Sequence, residues 1–356
     1  MNPLVSIAIP TFDRLHYLKD AVASALAQTY HNIEVLIGDD GVSESIHEWC
    51  RAVACQDQRV IYQRNERNLG LAGNWNALAK GARGEFIVVI GDDDRLLPDF
   101  VMKLVNAIQP AAHVAFANLY LINSKGDRLE AESLQHTRQY HRDLLPAGDV
   151  PNAEVVVWRN SVPMSAALIR TEDVRRLGFK EDLNTPEIEF FVRLAQEGAR
   201  FTFLSEYLSE YRVHPQSATA SGLRGERLAE HLLAIAVAPD VETHKRAFLA
   251  SLLVSAAGRC LQQGEWQLAR RFLRSEYYPR PQWKQVKSYF ATWSAAYRCL
   301  GSRNSWSDTP QSLRDLLSGW IQGVCVSLPA PIGCQLYRLV HRVKHGVSAS
   351  CSGIPS

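Results

Sequence analysis

Short apolar runs rich in β-branched residues alternate along the first part of the chain with stretches whose apolar residues recur every three or four positions. Leu4–Ile9 (LVSIAI), Ile33–Ile37 (IEVLI), Arg59–Gln63 (RVIYQ) and Phe86–Ile90 (FIVVI) have the length and composition of strands. Pro10 is expected to stop the first of them. Between the strands, Leu15, Leu18, Val22, Ala25 and Leu26 share one helical face, Ile46, Trp49, Cys50 and Val53 share another, and a third helix is predicted from about Leu71 to Lys80. Strands alternating with helices of this length predict βαβ units, an α/β fold with a mainly parallel sheet flanked by helices.

The pattern changes near Gly222, where it becomes helical. Phe248–Tyr278 reads as two helices broken at Gly264. This predicts a sheet domain over residues 1–220 and an all-helical region over 221–356. Leu316–Tyr337 is uncharged and long enough to span a bilayer, but it holds Pro329, Pro331, Gly319, Gly323 and Gly333, which argue against a span. The tail Leu336–Gly346 (LYRLVHRVKHG) sets Leu336, Leu339, Val340 and Val343 near one face and Arg338, Arg342 and Lys344 elsewhere. Such a helix suits either an anionic membrane surface or a packed position with a basic outer face.

Acidic residues follow the predicted strands. Asp13 comes after the first, Asp39 and Asp40 after the second, and Asp92, Asp93 and Asp94 after the fourth. In an open parallel sheet these loops gather at the carboxyl edge, where ligands bind. Adjacent carboxylates repel one another and so belong in water or around a cation. Aspartate oxygens are hard ligands that suit Mg²⁺ or Mn²⁺, ions that bridge a few carboxylates to substrate phosphates.

Composition narrows the choices. Over 356 residues the formal net charge is only +2, which argues against nucleic-acid binding. Seven cysteines without a C-x-x-C pair favour a reducing compartment. The N-terminus has no basic n-region of a signal peptide. Neither G-x-x-x-x-G-K-[ST] nor a G-x-G-x-x-G after the first strand occurs, so a diphosphate-containing substrate held through a cation is favoured over a P-loop or a dinucleotide cofactor.

With these positions in view the chain resembles family 2 glycosyltransferases. VSIAIPTFDR, IEVLIGDDGVSES, RNLGLAGNWNALAKGARGEFIVVIGDDDRLLPDF and EIEFFVRLAQEG stand in that family's order and spacing, over roughly Val5–Ser217. The resemblance implies a GT-A (Rossmann-like) fold and an inverting, metal-dependent enzyme using a nucleotide-diphosphate sugar, with a UDP-sugar favoured. The acceptor would be a hydroxyl of a glycan or lipid-linked sugar in cell-surface polysaccharide synthesis. No Q-x-x-R-W motif of the processive members appears, which implies single-sugar addition. The implied location is cytoplasmic, compatible with the inner face of the membrane, and the helical region would serve acceptor, membrane-surface or homodimer contacts.

The resemblance also implies roles. Pro10, Thr11 and Phe12 would line the nucleotide base, together with Asp13, which stands where the family often has Asn. Asp40 would accept a hydrogen bond from the base. Asn68, Gly70 and Asn76 would run beside the nucleotide, while Trp75 packs its helix. Asp93 would ligate the metal with Asp94 in support, and Asp92 would make a ribose or neighbouring contact. Gly91 replaces the usual first acid of this element. Glu187 would be the catalytic base, where the family more often has Asp; Glu189 and Glu181 are its rivals. Arg212 and His214, in YRVHPQSATAS, would close over the donor, and Arg170 is a weaker candidate. Two other readings stay open: a catalytically silent relative that binds a nucleotide sugar, and a metal-dependent nucleotidyl- or phosphotransferase.

Overall fold

The structure is a computed structural model in which residues 2–214 and 225–279 are described. The first compact unit runs through Phe248, beyond the boundary at 220 expected from the sequence. Its elements in order are β1 (Val5–Thr11), α1 (Leu15–Leu26), β2 (Ile33–Asp39), α2 (Glu44–Gln56), β3 (Val60–Arg64), α3 (Gly70–Gly81), β4 (Phe86–Val89) and β5 (Arg95–Leu96). They continue with α4 (Phe100–Ala107), β6 (Ala112–Ile122), α5 (Glu130–Gln139), β7 (Gly148–Asp149), α6 (Ala153–Trp158), β8 (Ala167–Arg170) and α7 (Thr171–Leu177). Then come α8 (Pro186–Gln196), β9 (Arg200–Arg212), α9 (Gly225–Leu233) and α10 (Pro239–Gln263).

The strands form one sheet in the order β3-β2-β1-β4-β8-β6-β9-β5, with β7 on β9. The four strands read from the sequence, β3-β2-β1-β4, are parallel, as expected of βαβ units. The rest is mixed. β8 runs antiparallel to both of its neighbours, β4 and β6, while β6 and β9 are parallel. Most paired residues, including the long β6–β9 pair, are parallel, so the sheet is mainly parallel as expected, with short antiparallel pairings at β8, β5 and β7.

Packing explains the N-terminal half. Ile7, Ile9, Val35, Ile37 and Val88 are wholly buried, and α1 covers one face with Leu18, Ala21, Val22 and Ala25, one or two per turn. Truncating one such Leu or Ile to Ala costs about 2–5 kcal/mol, which fixes the register of the strands. Pro10 does not end β1: the strand continues to Thr11 with Pro10 opposite Gly38, and Thr11 carbonyl accepts from the Asp40 N–H at 3.1 Å. α9 belongs to this unit because its Leu228, Ala229 and Leu232 stripe is buried and packs on α8.

The second unit begins at Leu249, inside α10. Leu249, Leu252, Leu253, Ala256 and Cys260 form a buried stripe at helical spacing, and a second helix, α11 (Trp266–Arg274), buries Ala269 and Phe272. Between them Gly264 takes φ 81°, a left-handed conformation that favours glycine, so the helix break falls where the sequence predicts it. Among the described residues no helix is long and apolar enough to cross a membrane. Leu316–Tyr337 and Leu336–Gly346 lie outside the described residues.

Candidate active site

β1, β2 and β4 end side by side, and the loops that follow them carry the acids. Thr11, the last residue of β1, donates its hydroxyl to Asp92 Oδ2 at 2.7 Å, and the Phe12 N–H approaches the same oxygen at 3.4 Å. The Phe12 side chain is 52% exposed, so its ring is free to stack on a flat ligand. Asp13 adopts φ 56° and accepts from the Ser43 N–H at 3.1 Å, tying the loop after β1 to the loop after β2. Gly41 leaves room for that contact, because a Cβ there would lie 2.4 Å from Asp13 Oδ1 and displace the carboxylate.

Asp39 and Asp40 are both buried but differ in their partners. Asp39 accepts from the Gly41 N–H and the Tyr62 hydroxyl. Asp40 accepts from Asn65 Nδ2 at 2.7 Å and keeps acceptor capacity for a further donor. Asn65 and Asn74, which the sequence reading missed, link this loop to α3: Asn74 Nδ2 donates to the Gly38 carbonyl and its Oδ1 receives Asn65 Nδ2.

The α3 candidates divide. Asn68 Oδ1 accepts from the Gly70 N–H at 2.7 Å, a turn that starts the helix, and Gly70 takes φ +73°. Asn76 is not brought to the acids. Its amide is spent on the Phe179 backbone, receiving the N–H at 2.8 Å and donating to the carbonyl at 2.9 Å. Trp75 packs edge-on against Phe179, as expected, but it also borders the central cavity, and its buried Nε1 has no acceptor among the described residues.

The three aspartates after β4 meet cations from distant parts of the chain. Arg14 reaches Asp92 with Nη2 and Asp93 Oδ2 with Nη1, the latter at 2.6 Å. His214 Nε2 lies 3.0 Å from the same Asp93 oxygen. Asp94 accepts from the Arg212 N–H at 3.0 Å. Burial pushes Asp92 up to about 6 against the pull of Arg14, and burial followed by the Asp93 charge holds Asp94 well above the usual carboxylate range. Gly91 stands where the resemblance expects an acid, and a Cβ there would come within 2.5 Å of Asp93 Oδ1, so a side chain at this position displaces that carboxylate.

Arg212 is held within the turn. It is 2% exposed; Nε donates to the Asp93 carbonyl at 2.8 Å and Nη1 to the Asn123 and Ser124 carbonyls. Its guanidinium also covers the Tyr17 ring, 4.7 Å from the centroid. Arg170 sits at the other end of its strand and serves the Ala112 and Pro110 carbonyls and Glu85.

A cavity of about 220 Å³ lies beside the acids, bordered by Arg14, Trp75, Asp93, Arg142, Thr185 and Glu187 among others. Glu187 is in the first turn of α8, and burial pushes its carboxyl up to about 7. Of its rivals, Glu189 is locked 2.6 Å from Arg193 Nε, one turn along the same helix. Glu181 is exposed and does not line the cavity.

Among the described residues no three His, Cys, Asp or Glu side chains form a ready-made metal cage. The charge balance nonetheless fits a divalent cation. Asp92, Asp93 and Asp94 stand together, and Arg14 is the one arginine or lysine paired with their carboxylates among the described residues. Asp93 and His214 already converge at 3.0 Å. Hard cations of this class need few protein donors and complete their shell with water and substrate oxygens.

Residues 6–159 match the sequence model of glycosyl transferase family 2. GlyG, a glycosyltransferase of Streptococcus pneumoniae serotype 4, is 33% identical over 121 residues, 34% of this chain and 40% of its own length. An uncharacterized glycosyltransferase of Methanocaldococcus jannaschii is 22% identical over 241 residues, 64% of this chain and 77% of its own. The chain thus spans less than half of GlyG. Among solved structures, the mannosyltransferase PcManGT from Pyrobaculum calidifontis, in complex with GDP-Man and Mn²⁺, superposes with TM-score 0.56 at 15% identity over 91% of this chain and 86% of its own. TarS 1–349 of S. aureus, in complex with UDP-GlcNAc, does so with TM-score 0.56 at 16% identity over 78% and 82%. At such identities the likeness establishes the fold. Residues 6–159 are thus similar in sequence to glycosyl transferase family 2, and the fold is the GT-A fold of these glycosyltransferases.

Proposed function

We propose that the protein is an inverting, non-processive glycosyltransferase that moves one sugar from a nucleotide-diphosphate donor to a hydroxyl of a glycan or lipid-linked acceptor. The observation that carries this reading is that Asp93 and Glu187 border one cavity. One side chain suits a donor diphosphate held through a cation, and the other is a carboxyl poised near neutrality.

In this reading the base packs against Phe12 and Asp40 accepts the imide N–H of uracil, which favours a UDP-sugar. The relatives' ligands, UDP-GlcNAc for TarS and GDP-Man for PcManGT, support a nucleotide sugar without choosing the nucleotide. Asp93 and His214 would hold Mg²⁺ or Mn²⁺, with Asp94 behind them, and the bound cation would stabilise the charge of the departing diphosphate. Thr11 and Arg14 orient Asp92 and Asp93, and Arg212 fixes the backbone of the same turn. Glu187 in its ionised form takes the proton from the acceptor hydroxyl as that oxygen attacks the anomeric carbon. Attack from the face opposite the diphosphate inverts the anomeric configuration.

Membrane-surface placement rests on the basic amphipathic sequence Leu336–Gly346. Deleting the residues after Gln335 tests it, because unchanged partitioning between membrane and soluble fractions would remove that element of the reading. The enzymatic reading is tested by Glu187→Gln. Retained calorimetric binding of the nucleotide with lost turnover supports a base at this position. Wild-type protein that binds a nucleotide sugar and never turns over, across a panel of glycan acceptors, would favour the silent relative instead.

A further inference from the structure

Arg142 is the most deeply buried charge on the cavity wall. It starts a single helical turn after α5 (Arg142–Leu144) and is 2% exposed. Its partners are all neutral. Nε donates to Asn118 Oδ1 at 3.0 Å, Nη1 approaches the Ser161 carbonyl at 3.4 Å, and Nη2 faces His136 Nδ1 at 2.8 Å. Burial, reinforced by Arg142 itself, pushes His136 down to about 4, so this imidazole is uncharged at neutral pH and accepts rather than repels. Arg142 is lowered to about 10 and still carries its charge.

Among the described residues no carboxylate lies within 4.0 Å of that guanidinium, although the other fully buried arginine, Arg212, reaches Asp20 at 3.4 Å. Burying a charge without a counter-ion is costly, and proteins keep such a group where something else supplies the opposite charge. The guanidinium has five N–H donors in a planar fork, of which the three contacts above use three. One donor on each Nη remains, the number that a carboxylate can take up. Trp75, whose buried Nε1 has no acceptor among the described residues, borders the same cavity. Its volume of about 220 Å³ is below the range of pockets that enclose whole drug-sized ligands and suits a single sugar residue.

We propose that Arg142 reads a carboxylate on the transferred sugar, so that the donor is a nucleotide-activated uronic acid. This rests on the donor reading above, in which the sugar joined to a diphosphate at Asp93 enters the cavity that Arg142 borders. Arg142 is then a specificity residue. Asn118 and Ser161 hold its fork in place, and neutral His136 leaves its charge available to the sugar.

The test is calorimetric binding, with Mn²⁺ present, of UDP, dTDP and GDP, each free, as its neutral hexose and as its uronate. Wild type, Arg142→Lys and Arg142→Met are compared. The uronate is expected to bind wild type about tenfold or more tightly than the neutral hexose on the same nucleotide, the scale of charge-assisted hydrogen bonds. Arg142→Met should erase that preference while leaving the free nucleotide unchanged, and Arg142→Lys should keep part of it. If Arg142→Met fails to fold, the wild-type comparison decides alone. A neutral hexose that binds as well as or better than its uronate overturns the assignment of Arg142 and leaves the donor site standing. Binding of none of the free nucleotides overturns both.

Discussion

Arg14 Nη1 lies 2.6 Å from Asp93 Oδ2, the same carboxylate oxygen that His214 Nε2 approaches at 3.0 Å. A guanidinium therefore occupies ground that a divalent cation would also claim. Arg14 and a metal compete for Asp93, while Asp92, wholly buried, depends on Arg14 for its charge partner. Arg14→Ala is expected to cost the metal-free protein about 3 kcal/mol, the scale for stranding a buried carboxylate. Mn²⁺ should raise the melting temperature of this variant more than that of wild type. Thermal unfolding with and without Mn²⁺ checks this, and equal shifts in the two proteins would refute the competition.

The raised carboxyl of Glu187 gives a signed pH dependence. A base works ionised, and this group ionises only above about 7. The kcat/KM for transfer should therefore fall about tenfold per pH unit below 7 and level off above it. Glu187→Gln should remove that limb and lower kcat by about 10²–10⁴-fold. A profile flat from pH 5 to 8 would exclude Glu187 as the base.

Gly91→Asp would restore the acid that the resemblance expects. Its Cβ would meet Asp93 Oδ1, the mobile end of a side chain, so the displaced group is the carboxylate proposed to hold the metal. Mn²⁺-dependent nucleotide binding is expected to fall steeply in titration calorimetry, with a stability loss of no more than about 1–3 kcal/mol. Tighter Mn²⁺ binding by this variant would show that the turn has room the structure does not provide.

Arg212 is expected to behave as a structural residue. Arg212→Gln leaves the Asp93, Asn123 and Ser124 carbonyls short of a donor, at a cost of about 2–4 kcal/mol. Arg212→Lys should rescue little, because one ammonium cannot reproduce the planar fork. Chemical denaturation midpoints measure both. Full stability of Arg212→Gln with impaired donor binding would return Arg212 to the ligand.

The acids that line the sheet edge were legible because strand ends and turns are local features. Asp40 and Asp92–Asp94 follow apolar runs directly, and the turn chemistry marks them. Asn76 is the complementary case: its amide is satisfied by the Phe179 backbone, 103 positions away, and no local pattern announces that contact. Arg14 carries no local signal either, since its role depends on Asp93, 79 residues on. β8 escaped the reading of a parallel sheet because a four-residue strand carries no mark of its direction.

By itself the sequence determined the alternation of strands and helices, the burial of their apolar faces and the placing of carboxylates after β1, β2 and β4. Each of these follows from the period of the hydrophobic pattern and from turn residues a few positions apart. Only the tertiary structure decided which cation meets which carboxylate, that Arg212 is locked while Arg142 has no anionic partner among the described residues, and that Glu187 rather than Glu189 borders the cavity. Those outcomes depend on the path of the chain between residues about a hundred positions apart, where pairing and desolvation set the charge balance of the site.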